Sequence, residues 1–189
     1  MAIDQRPLSE LEADLDRIRS APADTGRVEL IACRPDEEER ELLEVADLDL
    51  DRGLVGDMWS RRPSSSTDDG GPNPDAQVTV MSARAAALVA GDDPVDWAQA
   101  GDQLYVDFDL SQENLPPGTR LQVGAAVLEV RELPHLGCGK FARRFGVDAL
   151  KLVNSGEGRE LRLRGVNTRV VVPGAVRPGD RVAKLPPHG

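Results

Sequence analysis

Aromatic side chains are scarce in this chain, at 3 % of its 189 residues, so Val, Leu, Ile and Ala must build the core. Cysteine is sparse too. Cys33 and Cys138 stand alone and far apart, which makes no disulfide framework and points to a reducing compartment, hence a cytoplasmic protein. No apolar run approaches the roughly 20 residues of a membrane span. The amino-terminal residues lack the basic-then-apolar order of a secretory signal. Positive charge is in deficit: the net charge of −10 argues against general nucleic-acid binding and against anionic membrane surfaces. Common catalytic signatures are missing as well. The chain carries no G-x-x-x-x-G-K-[ST] loop, no H-E-x-x-H and no G-x-S-x-G elbow.

What remains is a globular composition, 40 % hydrophobic, with glycine and proline placed as punctuation. Leu8, Leu11, Leu15 and Ile18 recur at helical spacing, and Ala21-Pro22-Ala23 ends that stripe. Residues 1–26 therefore read as a helical extension docked on a domain of residues 27–189. From Arg27 onward short strands dominate: 28–33, 42–48, 77–81, 104–110, 120–123, 125–133, 161–164, 167–172 and 180–185. Ser82 reads as the cap of a short helix reaching Ala90, and residues 140–154 as a helix interrupted at Gly146. There is no strand–helix alternation of the Rossmann kind. The expected fold class is mainly β (α+β), a distorted antiparallel β-barrel with a few inserted helices. Residues 60–75 are poor in apolar side chains and rich in breakers, and read as a long mobile loop. The acidic run Asp36–Glu41 reads as a solvated turn between strands.

The densest chemistry lies in Glu132–Phe141. Here Cys138 sits between Gly137 and Gly139, three residues after His135 and two before Lys140. Flanking glycines let the backbone bend and a bulky group approach the sulfur. A nearby lysine and the start of a helix would each stabilise the thiolate, the form that attacks or binds metal. A small buried hydrophobe that happens to be cysteine is the competing reading. His135-x-x-Cys138 offers at most two metal ligands, with no second Cys/His pair to complete a zinc site. Nucleophilic catalysis by a Cys–His pair needs the two side chains in contact, which Pro134 and the short spacing do not guarantee.

Several segments together, over roughly residues 27–184, resemble the MOSC family, named for the carboxy-terminal domain of molybdenum-cofactor sulfurases and including small stand-alone bacterial proteins. In order they are Gly53-Leu54-Val55-Gly56-Asp57, Gln77–Ser82, Glu113-Asn114-Leu115, the Cys138 segment, Gly165–Gly174 and Val176–Asp180. The resemblance implies a distorted barrel with a cleft, the molybdenum cofactor (molybdopterin) as ligand, and Cys138 as the metal ligand. It also implies Asn114 near the cofactor, and Thr79 and Ser82 as hydroxyls at the end of the central strand. Relatives that bind the cofactor often carry a basic residue directly after the Gly-Asp pair, where this chain has Met58. Arg61 and Arg62 are then the candidates for a phosphate, with Arg143 and Arg144 as further cations.

Three functions follow from the resemblance. The first is a molybdenum-dependent oxidoreductase reducing N-hydroxylated compounds, which would need a separate electron-transfer reductase as partner. The second is a sulfur carrier or sulfurtransferase working through a Cys138 persulfide. The third is a non-catalytic binding module that kept the fold.

Overall fold

A computed structural model describes residues 3–65 and 67–186. Among the described residues, eleven strands run in chain order as β1 (Thr25–Cys33), β2 (Glu41–Leu42), β3 (Ala46–Asp49), β4 (Gly53–Leu54), β5 (Val78–Ser82), β6 (Leu104–Asp107), β7 (Arg120–Val123), β8 (Ala126–Val130), β9 (Val166–Val172), β10 (Gly174–Val176) and β11 (Arg181–Lys184). The helices are α1 (Leu8–Ala13), α2 (Leu15–Arg19), α3 (Ala83–Ala90), α4 (Pro94–Trp97), α5 (Gly139–Phe145), α6 (Val147–Asn154) and α7 (Gly156–Glu160).

The main sheet runs β11-β7-β8-β9-β5-β6-β1 and closes on itself through β1–β11, with β2 appended to the end of β1. Closure removes the free edges that would otherwise invite aggregation. The expectation of an antiparallel barrel needs one amendment, because β5 and β6 are parallel. The connection between them, carrying α3 and α4, is long enough for the crossover that parallel pairing requires. A small second sheet, β10-β3-β4, stands beside the barrel.

Two apolar cores account for the covering on both faces of β5 and β6. Val78, Val80, Leu104 and Val106 point into the barrel with Ile31, Phe108, Leu121 and Leu128. Met81 and Tyr105 point out, into a layer that Leu11, Leu15, Ile18, Phe141, Phe145 and Leu152 complete. The α1–α2 stripe therefore packs on the same outer layer as the helices that follow Cys138. β1 begins at Thr25, and its first residues pair with Val182 and Ala183. Met1, Ala2, Ser66 and residues 187–189, which the expected extension, loop and domain include, lie outside the described residues.

Two of the expected strands change in kind, and those expected at 104–110 and 125–133 end earlier, at Asp107 and Val130. Residues 161–164 alternate like a strand but form turns after α7, where Leu163 is buried and Leu161 packs on the helical layer. Hydrogen bonds from Leu163 N to Gly158 O and from Gly165 N to Arg162 O hold that shape. Residues 42–48 split between β2, which pairs with β1, and β3, which joins the second sheet. Ser82 does cap α3, accepting from Ala85 N at 3.4 Å, and Gly146 breaks α5 from α6 with φ +94°. In the 60–75 segment the described residues bond internally. Thr67 Oγ1 donates to the carbonyls of Ser64 and Gly71, and Trp59 Nε1 donates to Asn73 O.

Candidate functional site

Cys138 is positioned by the segment that leaves β8 and enters α5. Asn167 Nδ2 holds Leu133 O at 3.0 Å. The Asn154 carboxamide grips Gly137 from both sides, accepting from its N–H at 2.9 Å and donating to its carbonyl at 3.0 Å. A side chain at Gly137 would meet Leu150 Cδ1 at 2.7 Å and Val153 Cγ2 at 2.8 Å, so this glycine is explained by close packing on α6. Gly139 faces open space, and packing does not demand it.

Cys138 is exposed and occupies the N-cap position of α5. Its sulfur closes no formal cap hydrogen bond. Its pKa nevertheless falls below the ordinary thiol value: partial burial opposes the shift, and the amides of Phe141 and Lys140 with the charges of Arg164 and Arg144 outweigh it. The expected help from the Lys140 ammonium is instead spent on Glu37 and Glu38. Cys33, by contrast, is buried, and burial with Asp57 nearby raises its pKa to about 11.

Cys138 opens on a cavity of about 550 Å³ walled by Arg34, Arg40, Arg61, Arg62, Lys140, Arg144 and Arg164, against Glu37 and Glu38 alone. In a chain of net charge −10 this is a concentrated reversal of sign. Arg34 is fixed by a two-point contact with Asp57 at 2.8 and 2.9 Å and by Gly101 O at 2.9 Å. Asp57 in turn caps the turn Met58–Arg61 through Trp59 N. Arg40 has no ion pair among the described residues. Burial, Arg144 and Arg34 lower its pKa, so an anion here would relieve the crowding of like charges. Arg61 is tied to Pro35 O, whereas Arg62 makes no side-chain bond within the described residues.

Behind the cavity lies a buried triad. Asp102 accepts from Arg164 and from His135 Nε2, the latter at 2.8 Å. Burial would raise the Asp102 pKa, but Arg164 and His135 overcome it and hold the carboxyl at about 2. His135 is 18 % exposed, and its pKa is lowered by burial and by Arg164 against the pull of Asp102, so it is neutral at pH 7. An ionised Asp102 can only accept, which assigns the ring proton to Nε2 and leaves the Nδ1 lone pair free. His135 therefore partners Asp102 and not Cys138. Arg164 also donates to Ala100 O and stacks 5.3 Å from the Phe141 ring centroid, and its Nε is the one sealed donor without a partner among the described residues.

A second cavity of about 400 Å³ adjoins the first through Arg34, Arg62, Pro63 and His135. Trp59, Asn73, Thr79 and Asn167 line it. Thr79 Oγ1 donates to Gln103 Oε1 at 2.6 Å. The cleft thus runs from Cys138 to the ends of β5 and β9.

Of the residues singled out from sequence, Cys138, Arg61, Arg62 and Arg144 meet in one cavity, and Thr79 lines its neighbour. Arg143 is exposed and does not line the cavity. Ser82 is buried as a helix cap. Asn114 lies elsewhere. Its amide donates to Ala23 O and Asp109 O and its oxygen accepts from Lys184, beside a different groove. Sequence reasoning passed over Arg34, Arg40, Asp102 and Arg164, which carry no local signature. Asp57 and Asn167 lay within quoted motifs but without a role. The acidic run is not merely solvated, since Glu37 and Glu38 reach back to Lys140 and Arg144 across the cavity.

No curated protein sequence shows significant similarity to the chain. Among solved structures, the YuaD protein from Bacillus subtilis superposes with a TM-score of 0.58 at 19 % identity, covering 84 % of this chain and 94 % of its own. YiiM from Escherichia coli gives a TM-score of 0.55 at 16 % identity, covering 86 % of this chain and 71 % of its own. These likenesses establish the fold. Residues 67–183, more than half of the chain, match the family model of the MOSC domain, and the protein belongs to that family.

Proposed function

We propose that the protein binds the molybdenum cofactor through Cys138 and reduces N-hydroxylated compounds, drawing electrons from a separate reductase. The observation that carries this reading is the arginine-walled cavity onto which Cys138 opens, in an otherwise acidic protein. The donor set fits the group. Among the described residues no cluster of three or more His, Cys, Asp or Glu side chains is available to hold a bare metal ion. A metal that brings its own organic ligand needs only one soft thiolate from the protein and a cationic cradle for its phosphate. Cys138 is that thiolate, and Arg40, Arg61 and Arg62 are the cavity cations without carboxylate partners among the described residues. Thr79 and Asn167 supply a polar wall in the adjoining cavity.

When bound, the cofactor supplies two-electron oxygen-atom chemistry. The protein's own part is positional and protonic. Asn154 and Asn167 fix the Cys138 segment, Asp102 fixes the His135 tautomer, and His135, which lines the cleft, keeps an Nδ1 without a hydrogen-bond partner among the described residues to hold or pass a proton. Elemental analysis of protein from cofactor-competent cells tests the reading. Near-stoichiometric molybdenum in the wild type, lost in Cys138→Ala, is expected; no molybdenum in either protein overturns it. In that event the exposure and lowered pKa of Cys138 favour sulfur carriage as a persulfide, detectable by mass after exposure to a sulfur donor.

A further inference from the structure

A third cavity, of about 370 Å³, shares only His135 and Leu136 with the Cys138 cavity. It lies between residues 131–136, the Pro116-Pro117 turn and the segment from α7 into β9. Its volume is within the usual range for small-molecule sites.

Its walls divide by chemistry. Leu133 and Leu136 remain 39 % and 44 % exposed, and with Pro134, Pro117 and Val166 they give an apolar surface. The polar end is Arg162. Its Nη1 donates to Leu115 O at 2.7 Å and more weakly to Leu110 O at 3.4 Å, while Nε and Nη2 have no partner among the described residues. No carboxylate of the described residues pairs with it, although it is half-buried, and burial alone lowers its pKa. A partly buried, uncompensated guanidinium is costly unless an anion joins it. The backbone adds a second cost. Arg162 has φ +49°, a left-handed conformation uncommon for a side-chain-bearing residue, held by the bonds from Arg162 N to Arg159 O and from Gly165 N to Arg162 O.

The other charges limit the ligand. Arg131 is already engaged by Asp75 and Glu129. Arg159 has no ion pair among the described residues, and Glu132 also lines the cavity, so the local balance suits one negative charge better than two. We propose that this cavity binds a small organic monocarboxylate with an apolar body. The carboxylate pairs with Arg162, and the body lies against Leu133, Pro134 and Leu136. The inference does not depend on the cofactor reading, because Arg162, Leu133 and Pro134 do not line the Cys138 cavity.

Benzoate, with benzamide as its neutral isostere, is the probe, titrated into the full chain at low ionic strength by saturation-transfer NMR. Benzoate should bind about 10-fold more tightly than benzamide, as a charge-assisted contact requires. Leu133→Asp, which places a negative charge on the exposed apolar wall, should weaken benzoate by about 10-fold. Arg162→Gln should do the same. Leu133→Asp keeps the test decisive if removal of Arg162 disturbs folding. Alkylation of Cys138 with iodoacetamide should leave benzoate binding within about 2-fold, since the sulfur belongs to the other cavity. Absence of benzoate binding, equal affinity for benzamide, binding that survives Leu133→Asp unchanged, or binding lost on alkylation overturns the proposal.

Discussion

Gly137 and Gly139 flank the same sulfur for different reasons. A methyl group at Gly137 collides with Leu150 and Val153, whereas one at Gly139 meets nothing within 4 Å. Gly137→Ala should cost about 1–3 kcal/mol through overpacking and shift the Cys138 loop. Gly139→Ala should leave stability unchanged or slightly raised, since alanine favours a helix start over glycine. Chemical denaturation of the two variants checks this, and equal destabilisation would refute the packing account. The sequence placed both glycines beside a reactive cysteine but could not tell them apart. The difference lies in α6, which approaches only one of them in three dimensions. Asn114 makes the converse case. Its motif was legible, but its amide is spent on Ala23, Asp109 and Lys184, contacts that no local pattern announces.

At the scale of elements, the β1–β2 connection controls charge at the cavity. Glu38 is held at φ +64°, and Glu37 and Glu38 pair with Lys140 and Arg144 of α5. These ion pairs are exposed and individually weak, but together they place two negative charges where an anion must pass. Glu37→Gln with Glu38→Gln should therefore speed reaction of Cys138 with an anionic aromatic disulfide by about 3- to 10-fold at low salt, less at high salt. The rate with neutral iodoacetamide should change much less. An equal change with both reagents would mean that access, and not charge, had been altered. Strand positions were legible where alternation met glycine turns, as for β7 and β8 on either side of Gly124. It was not legible at 161–164, where Leu161 and Leu163 alternate like a strand but face the helical layer. The parallel β5–β6 pair was hidden for a similar reason. Pairing direction depends on the route of α3 and α4, not on the residues of either strand.

Across the whole molecule, the Asp102–Arg164–His135 triad links three parts of the fold: the start of β6, the start of β9 and the Cys138 segment. Because Asp102 is fully buried, its acid titration is also a statement about folding. Its carboxyl is depressed from the ordinary 3.8 to about 2, so its contribution is present above pH 3.8 and lost as pH falls towards 2. That contribution is about 2 kcal/mol, from the shift in pKa. His135 is depressed as well, so the unfolded chain takes up its proton first. Stability from His135 is present above pH 6.5 and lost as pH falls from there through its lower folded value. The two groups act in the same direction but in separate windows. Urea unfolding between pH 7.5 and 2 should show stability falling first below 6.5 and again below about 3.8. In Asp102→Asn the second fall should diminish, and the protein should already be about 3–5 kcal/mol less stable at neutral pH, because Arg164 is left buried without its counter-ion. Unchanged neutral stability in that variant would show that Arg164 had found another partner, and the triad would then not be what holds the Cys138 segment against the barrel.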